Sequence, residues 1–374
     1  MMKIVYYTDQ VYLHGGLERV ISNKLNYLNE KTDIELNVIT FQQKNQPVCY
    51  GMSDNVSFHD LGINYDRSLS FFHPINFKNV FKHFKKLNKI INKIDPDIVV
   101  VCNYEFGFYF MPLLCSNKIL IKEYHSSRHF YYHNRQNNSS LIKKIMYKVV
   151  DFFESKYNYL ALLNEDELNY YKSNNKIVIP NALSFFPDGI SELSNNRVIS
   201  AGRIAPVKGF EKLIMAWKIV NESYPNWNLD IYGDGEPSYV EVLEKQIKKI
   251  GLENKVTLKG ATDNLKNEML NASLYAMTSI TECFPMVLLE AMSCGLPIVS
   301  FDSPTGPRNI IKDGVDGILV EYNDVEDLAR EIIYLIKNPK QRFEMGIKAY
   351  KNVKRFSDEK IMNKWLNIFE YEKV

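Results

Sequence analysis

Along the second half of the chain, short runs of β-branched and aromatic residues alternate with stretches whose apolar residues recur every three or four positions. RVISAGRI (197–204) predicts a strand, and Phe210, Leu213, Ile214 and Trp217 then fall on one helix face. LDIYG follows as a strand, and Val240, Leu243, Ile247 and Ile250 mark the next helix. KVTLKG, LYAMTS, PIVSFD and GILV then alternate with NLKNEMLNAS, MVLLEAMSCG, a short helix after Gly306 and VEDLAREIIYLIKN. Strands separated by whole helices can pair only in parallel, with the crossover helices covering both faces of the sheet.

The first half begins the same way. KIVYYT is a strand, Gly15 and Gly16 form a turn, and Leu17, Ile21, Leu25 and Leu28 line a helix that leads to ELNVITF. DIVVV, KILIKEYH and YLALLNED supply later strands; residues 42–77 are polar, aromatic and irregular, and Asn-rich NRQNNSS (134–140) reads as a loop. In NALSFFPDGISELSNNR (181–197) Pro, Gly, Ser and Asn replace the periodic apolar residues, which marks a linker. The expectation is α/β architecture in two doubly wound domains, residues 1–185 and 186–355, with a ligand crevice at the carboxyl edges of the sheets. Ile98–Cys115, the longest mostly apolar stretch, contains Asn103, Glu105 and Pro112, so a buried strand with its following segment is expected, not a membrane span. MMKIVYYTDQ lacks the apolar core of a signal peptide and reads as a first strand.

Composition narrows the function classes. The 374 residues carry 46 Lys+Arg against 44 Asp+Glu, too balanced for a dedicated nucleic-acid binder. The balance is uneven along the chain: residues 1–185 hold 22 basic and 17 acidic side chains, the remainder 24 and 27, and all seven His precede residue 134. Five Cys without a Cys-x-x-Cys pair suggest neither a disulfide framework nor a zinc site, and fit reduced thiols in a cytoplasmic protein.

Chemistry concentrates in SITECFPMVLLEAMSCG. Pro285 suits the first turn of a helix, so Glu282 falls in the loop before it and Glu290 about one turn inside. Two carboxylates then flank a helix start whose free NH groups attract an anion, an arrangement suited to a nucleotide sugar. A Glu pair at this spacing is also an ordinary feature of helix N-termini. In ISAGRIAPVKGFEKLIMAW, Arg203 and Lys208 follow a strand and precede a helix, with Gly202 and Gly209 permitting close approach of the backbone. Two cations at a strand's carboxyl end suit a departing diphosphate; the competing reading is a pair of solvated surface charges.

GGLERVISN, EYHSS, VIPNALS, SAGRIAPVKGFEKLI, IYGDGE, TECFPMVLLEAMSCGLPIVS and FDSPTGPRNIIKDGVDGILV occur in this order from Gly15 to Val320. In these segments the chain resembles glycosyltransferase family 4, the retaining GT-B glycosyltransferases. The resemblance implies two Rossmann-like domains facing a central cleft, with the acceptor on the first and the nucleotide sugar on the second. It also implies that the C-terminal helix (356–374) crosses back to the first domain. It assigns Glu282 to the transferred sugar, Glu290 to the donor ribose, and Arg203 and Lys208 to the diphosphate, helped by the backbone of Phe284, Pro285, Met286, Val287 and Leu288. Gly15 and Gly16 become the turn that closes over the donor phosphates, and His125 the cleft histidine beside the sugar. Without the resemblance, the two glycines would mark a tight turn and His125 a structural side chain.

Many family members have Gly after the first motif Glu, where this chain has Cys283 followed two positions on by Pro285, so its sugar loop is bulkier and its donor preference open. DSPTGPRNII resembles bacterial capsule, exopolysaccharide and lipopolysaccharide hexosyltransferases that use UDP-sugars, which favours UDP-galactose, UDP-N-acetylgalactosamine or UDP-glucose. The implied enzyme is a retaining, metal-independent hexosyltransferase without a cofactor, acting on a surface glycan or lipid-linked saccharide. A nucleotide-sugar 2-epimerase and a non-catalytic sugar-nucleotide-binding subunit of a glycan assembly complex are the alternatives. FKNVFKHFKKLNKIINK (77–93) has six Lys, no acid, and Phe77, Phe81, Phe84, Leu87, Ile91 and Ile94 at helical spacing; LIKKIMYKVV (141–150) adds three Lys. Two readings stand for this basic helix: peripheral contact with the anionic inner face of the plasma membrane, or a solvated lysine face over an apolar core.

Overall fold

The computed structural model describes residues 1–69, 73–102, 105–137, 140–183 and 185–371, which divide into two units: Met1–Ala182 with Asp358–Val374, and Leu183–Ser357. Ser184 of the linker and residues 138 and 139 of NRQNNSS lie outside the described residues. In chain order the first unit contains β1 (Lys3–Tyr7), α1 (Gly16–Lys31), β2 (Glu35–Thr40), β3 (Ser57–Asp60), α2 (Pro74–Ile94), β4 (Ile98–Val101) and α3 (Phe106–Leu114). β5 (Ile119–Glu123), α4 (His129–Asn137), α5 (Leu141–Glu154), β6 (Tyr159–Leu162) and β7 (Lys176–Val178) follow. The strands form one sheet in the order β3-β2-β1-β4-β5-β6-β7, all pairs parallel. Central strands such as IVVV in β4 are buried on both faces, which is why they read as unbroken apolar runs.

Helix ends follow local chemistry. Pro74 opens α2, where its missing NH costs nothing, and Asp95 closes it in the left-handed region at φ +50°. The apolar stripe of α2 divides in two: Leu87, Ile91 and Ile94 pack into the core, whereas Phe77 and Phe81 are exposed. His83 of the same helix is fully buried between the hydroxyls of Tyr7 (2.8 Å) and Tyr65 (3.0 Å), and burial lowers its pKa to about 3, so it is a neutral bridge. Two elements differ from expectation. β3 lies inside the tract read as irregular, and α4 runs through Asn137, so most of NRQNNSS is helical and not a loop. α4 is fixed by tertiary contacts: His129 Nδ1 meets the Tyr170 hydroxyl at 2.9 Å, and Arg135 pairs with Asp151 at 2.7 Å.

The second unit runs β8 (Arg197–Ala201), α6 (Phe210–Ser223), β9 (Asn228–Tyr232), α7 (Pro237–Lys249), β10 (Val256–Gly260), α8 (Leu265–Leu270) and β11 (Leu274–Met277). α9 (Met286–Ser293), β12 (Ile298–Phe301), β13 (Gly317–Val320), α10 (Val325–Lys337) and α11 (Pro339–Val353) complete it. Its parallel sheet has the order β10-β9-β8-β11-β12-β13. Trp217, Leu213 and Ile214 of α6 are buried in its core beside Leu328, Ile332 and Leu335 of α10. α12 (Asp358–Tyr371) then returns to the first unit and packs on α1. In each sheet the order reverses between two central strands, β1 and β4 in the first and β8 and β11 in the second; the loops leaving those strands diverge and open a crevice at their carboxyl ends.

Candidate functional site

At the reversal point of the second sheet, two loops are bonded to each other. After β8 the chain passes Gly202, Arg203 and a 3-10 turn, Pro206–Lys208, before Gly209 starts α6. Gly209 sits at φ +62° with the Thr278 carbonyl oxygen 2.4 Å from where a Cβ would stand, so only glycine permits this approach to the β11 loop. Across the gap, Ile280 NH donates to Val207 O (2.8 Å) and the Thr278 hydroxyl to Lys208 O (3.2 Å). Beneath them the Tyr275 hydroxyl accepts from Ala201 NH (3.1 Å) and donates to Ala201 O (3.0 Å), pinning β11 to β8.

This frame brings Lys208 and Glu282 together, Nζ to Oε1 at 2.6 Å, both largely buried. Glu282 is held from the other side: the Thr305 hydroxyl donates to its carbonyl at 2.7 Å, and a Cβ on Gly306 would meet the Glu282 Cβ at 2.5 Å. Thr305 itself lies at φ +70°, a strained conformation for a β-branched residue, held there by its bond to Glu282. Pro285 precedes α9, Phe284 packs edge-on against Phe356 at 5.3 Å, and Glu290 is buried one turn into the helix. Burial pushes the Tyr275 phenol well up against the hydrogen bonds to Ala201 and Ser200 that lower it, and the negative charges of Glu282 and Glu290 add to the rise. Arg203 is exposed at the same strand end. Glu282, Glu290, Arg203, Lys208 and the segment Phe284–Leu288 therefore belong to one βα edge. Tyr275 and Thr305 complete it; neither carries a charge, and Thr305 lies within DSPTGPRNII without standing out from it.

Gly15, Gly16 and His125 belong to the first unit, at the carboxyl ends of β1 and β5. Gly15 is extended at φ −149° and caps α1; its Cβ position is 2.3 Å from Glu18 Oε2, so the turn is closed over a buried carboxylate, which in turn accepts from Gln10 Nε2. His125 Nε2 lies 3.0 Å from Glu123 Oε2, and Glu123 is clamped by Lys24 Nζ at 2.7 and 2.9 Å from its two oxygens. Lys24 is sandwiched in turn, 4.1 Å from the Trp365 ring of α12. Burial pushes the Glu123 carboxyl up, but Lys24 and His125 overcome it and hold its pKa at about 2. Burial lowers the His125 pKa, so the ring is neutral. An ionised Glu123 can only accept, so Nε2 carries the proton and Nδ1 is left as a buried acceptor with no partner among the described residues.

Cys102, Glu123 and His125 place ligand-type atoms within 4.8 Å of one another, but both Glu123 oxygens are already bound by an ammonium and burial holds the Cys102 thiol protonated, so the group is poorly suited to a cation. A second first-unit cluster escaped sequence reasoning. Asp9, after β1, and Glu105, after β4, converge at the reversal point on Arg67, which donates to them at 2.8 and 3.0 Å; burial raises the Glu105 pKa to about 7. Its signal was a charged residue at the end of each of two apolar strand runs.

Residues 186–352 match the family described as glycosyl transferases group 1. An uncharacterized glycosyltransferase of Haemophilus influenzae is 27% identical over 98% of this chain and 100% of its own length. The amylovoran biosynthesis glycosyltransferase AmsD of Erwinia amylovora is 28% identical over 98% of this chain and 99% of its own. Among solved structures, Anabaena Alr3699/HepE in complex with UDP and glucose superposes with a TM-score of 0.75 at 19% identity, covering 99% of this chain and 100% of that one. Likeness of this extent at such low identity is likeness of fold: two Rossmann-like domains of the GT-B class.

Proposed function

We propose that this chain, whose residues 186–352 match the group 1 glycosyltransferases, moves a hexose from a UDP-sugar, with retention of configuration, to a growing bacterial surface glycan or lipid-linked saccharide. The observation that carries this reading is the contact between Lys208 and Glu282 at the start of α9, at the reversal point of the second sheet. Arg203, Lys208 and the free NH groups of the first α9 turn neutralise the diphosphate as the bond from the anomeric carbon to its oxygen breaks. In this reading Glu282 meets the sugar ring of the donor, and Glu290 takes the ribose hydroxyls. The acceptor hydroxyl attacks the face the diphosphate leaves, its proton passing to the departing phosphate oxygen. These fixed positive groups do the work a divalent cation would otherwise do, so EDTA leaves transfer unchanged. A UDP-hexose donor is supported by the resemblance of DSPTGPRNII and by the UDP and glucose held by the HepE structure, and a polysaccharide acceptor by the naming of AmsD for amylovoran biosynthesis. An acceptor carried on lipid would be met at the inner face of the membrane, which gives the basic first-unit helices a partner.

The test uses radiolabelled UDP-galactose, UDP-N-acetylgalactosamine and UDP-glucose with a bacterial lipid-linked saccharide extract, with and without EDTA. Label passing from one donor into the lipid fraction with EDTA present supports the reading. Label remaining in an epimerised nucleotide sugar, no turnover of any donor, or transfer that requires Mn refutes it.

A further inference from the structure

On one face of the first sheet, α2 and α3 pack together and α3 packs on α5. A run of ring contacts links them: Phe84 with Phe110, and Tyr109 with Phe153. The outer surface of this layer is apolar to an unusual degree. Along α5, Leu141, Ile142, Ile145, Met146, Val149 and Phe152 are all exposed, Leu141 by 75% and Ile142 by 71%. At 100° per residue they occupy one continuous face of the helix, while Val150 and Glu154 turn inward. Leu113 of α3 and Ile75, Phe77 and Phe81 of α2 add to the exposed apolar surface of the layer. Isolated exposed apolar residues are normal, but six on one face of a fourteen-residue helix form a surface that needs a partner.

Charge identifies the partner. α2 carries Lys78, Lys82, Lys85, Lys86, Lys89 and Lys93, and α5 carries Lys143, Lys144 and Lys148. The acidic side chains of these three helices are Asp151 and Glu154; Asp151 is paired with Arg135, and Glu154 is buried against Arg128. An apolar strip bordered by lysines, with its acids neutralised, matches the boundary between anionic headgroups and acyl chains, where long lysine side chains keep their charge in water while the strip enters the lipid. A protein partner of ordinary composition would leave these lysines unpaired. No helix among the described residues is long and apolar enough to cross a membrane, so the contact lies in the plane of the interface.

We propose that α5 is a membrane-inserting helix that seats the first unit on an anionic bilayer, with α2 supplying electrostatic attraction and the apolar face of α5 the hold. The proposal rests on the reading that the acceptor is met at a membrane, and it separates two contributions that salt distinguishes. The range of a charge shrinks from about 10 Å at 0.1 M salt to about 3 Å at 1 M, which removes the lysine attraction and leaves the apolar one.

The experiment is sedimentation of the full chain with vesicles of phosphatidylcholine alone or mixed with phosphatidylglycerol, at 0.1 and 1 M salt. Donor-only UDP-sugar hydrolysis and thermal unfolding are measured in parallel. Wild type binds the mixed vesicles at low salt and retains part of that binding at high salt. The variant Ile142→Asn/Ile145→Asn/Val149→Asn loses the salt-resistant part, with low-salt binding at least ~30-fold weaker. Lys82→Gln/Lys85→Gln/Lys89→Gln loses the salt-sensitive part. Ile142→Asp, at one of the most exposed positions of α5, repeats the first result if the triple variant unfolds early. Equal binding by wild type and the α5 variants, or no binding by wild type, overturns the proposal, as does a wild-type dimer that the triple variant converts to monomer without a change in vesicle binding. Vesicle binding that behaves as described in a protein that passes no label from any UDP-sugar to the lipid-linked saccharide extract refutes the transferase reading and leaves the anchor standing.

Discussion

Replacing Lys24 with Met removes the ammonium that grips both oxygens of Glu123 while keeping a flexible side chain against Trp365. The two side chains are 7% and 3% exposed, so water cannot take over the solvation of the carboxylate. In the wild type, Glu123 is held at about 2 against an ordinary 4.5, so its contribution to stability is fully present above pH 4.5 and is lost as pH falls toward 2. Without Lys24, burial dominates and the folded-state value rises above 4.5. The sign reverses, and stability is lost as pH rises through the range where the unfolded chain ionises. Removing Lys24 leaves a buried carboxylate without its ammonium partner, and breaking a buried ion pair in this way typically costs ~3–5 kcal/mol, so a loss of about 3 kcal/mol is expected at pH 7. The difference between variant and wild type should be largest at pH 7 and shrink as pH falls through 4.5 toward 2, where the wild-type contribution is itself lost. Because two units unfold in one chain, the measurement is native-state hydrogen exchange of the amides in β1, β4 and β5, which reports the first unit alone. A loss below about 1 kcal/mol at pH 7, or one that does not change with pH, would refute the reasoning.

Glu290→Ala should weaken UDP-sugar binding about tenfold or more, the cost of a charged hydrogen bond at ~1.5–3 kcal/mol, and calorimetry that gives an unchanged Kd in a folded protein removes Glu290 from the site. Glu282→Ala should leave UDP affinity nearly intact while transfer falls on the order of 100-fold, and an equal loss of UDP affinity would show that the role is wrong. Lys208→Ala should lower kcat more than it raises the apparent donor KM, and because Lys208 and Glu282 touch at 2.6 Å the double variant should cost less than the two single losses combined; strict additivity in steady-state kinetics contradicts the contact. Glu105, held at about 7 by burial, contributes stability that is present below pH 4.5 and lost as pH rises through 7, so Glu105→Gln should gain stability at pH 8 relative to pH 4, and urea midpoints with no such pH dependence refute this.

The strands were legible because parallel strands are buried on both faces and must be written as apolar runs: IVVV, IVSF and LYAM stand out without help. β3 did not, because SFHD is an edge strand, largely exposed and carrying no core residues that could form a pattern. α4 did not either, since HFYYHNRQN has no apolar stripe. Its helix is imposed by Tyr170 and Asp151, 41 and 16 residues from their partners. The basic helix 77–93 shows periodicity misleading in a different way. The period was right, but the stripe serves the core at one end, at Leu87, Ile91 and Ile94, and is exposed at the other, at Phe77 and Phe81.

The site divides along the same line. In the second unit each candidate side chain sits within a few residues of the strand or helix that positions it, so spacing in the sequence is nearly geometry: Lys208 seven residues after β8 ends, Glu282 four before α9 begins. In the first unit the state of His125 is set by Glu123, the state of Glu123 by Lys24, 99 residues away, and the position of Lys24 by Trp365 on a helix that returns from the far end of the chain. One trace of this was present, for Lys24 falls beside Ile21, Leu25 and Leu28 on the apolar face of α1, where a lysine is costly unless something buried needs its charge. A cation on a core face is thus a pointer to a buried acid, and here that acid determines which nitrogen of His125 remains free to accept a hydrogen bond.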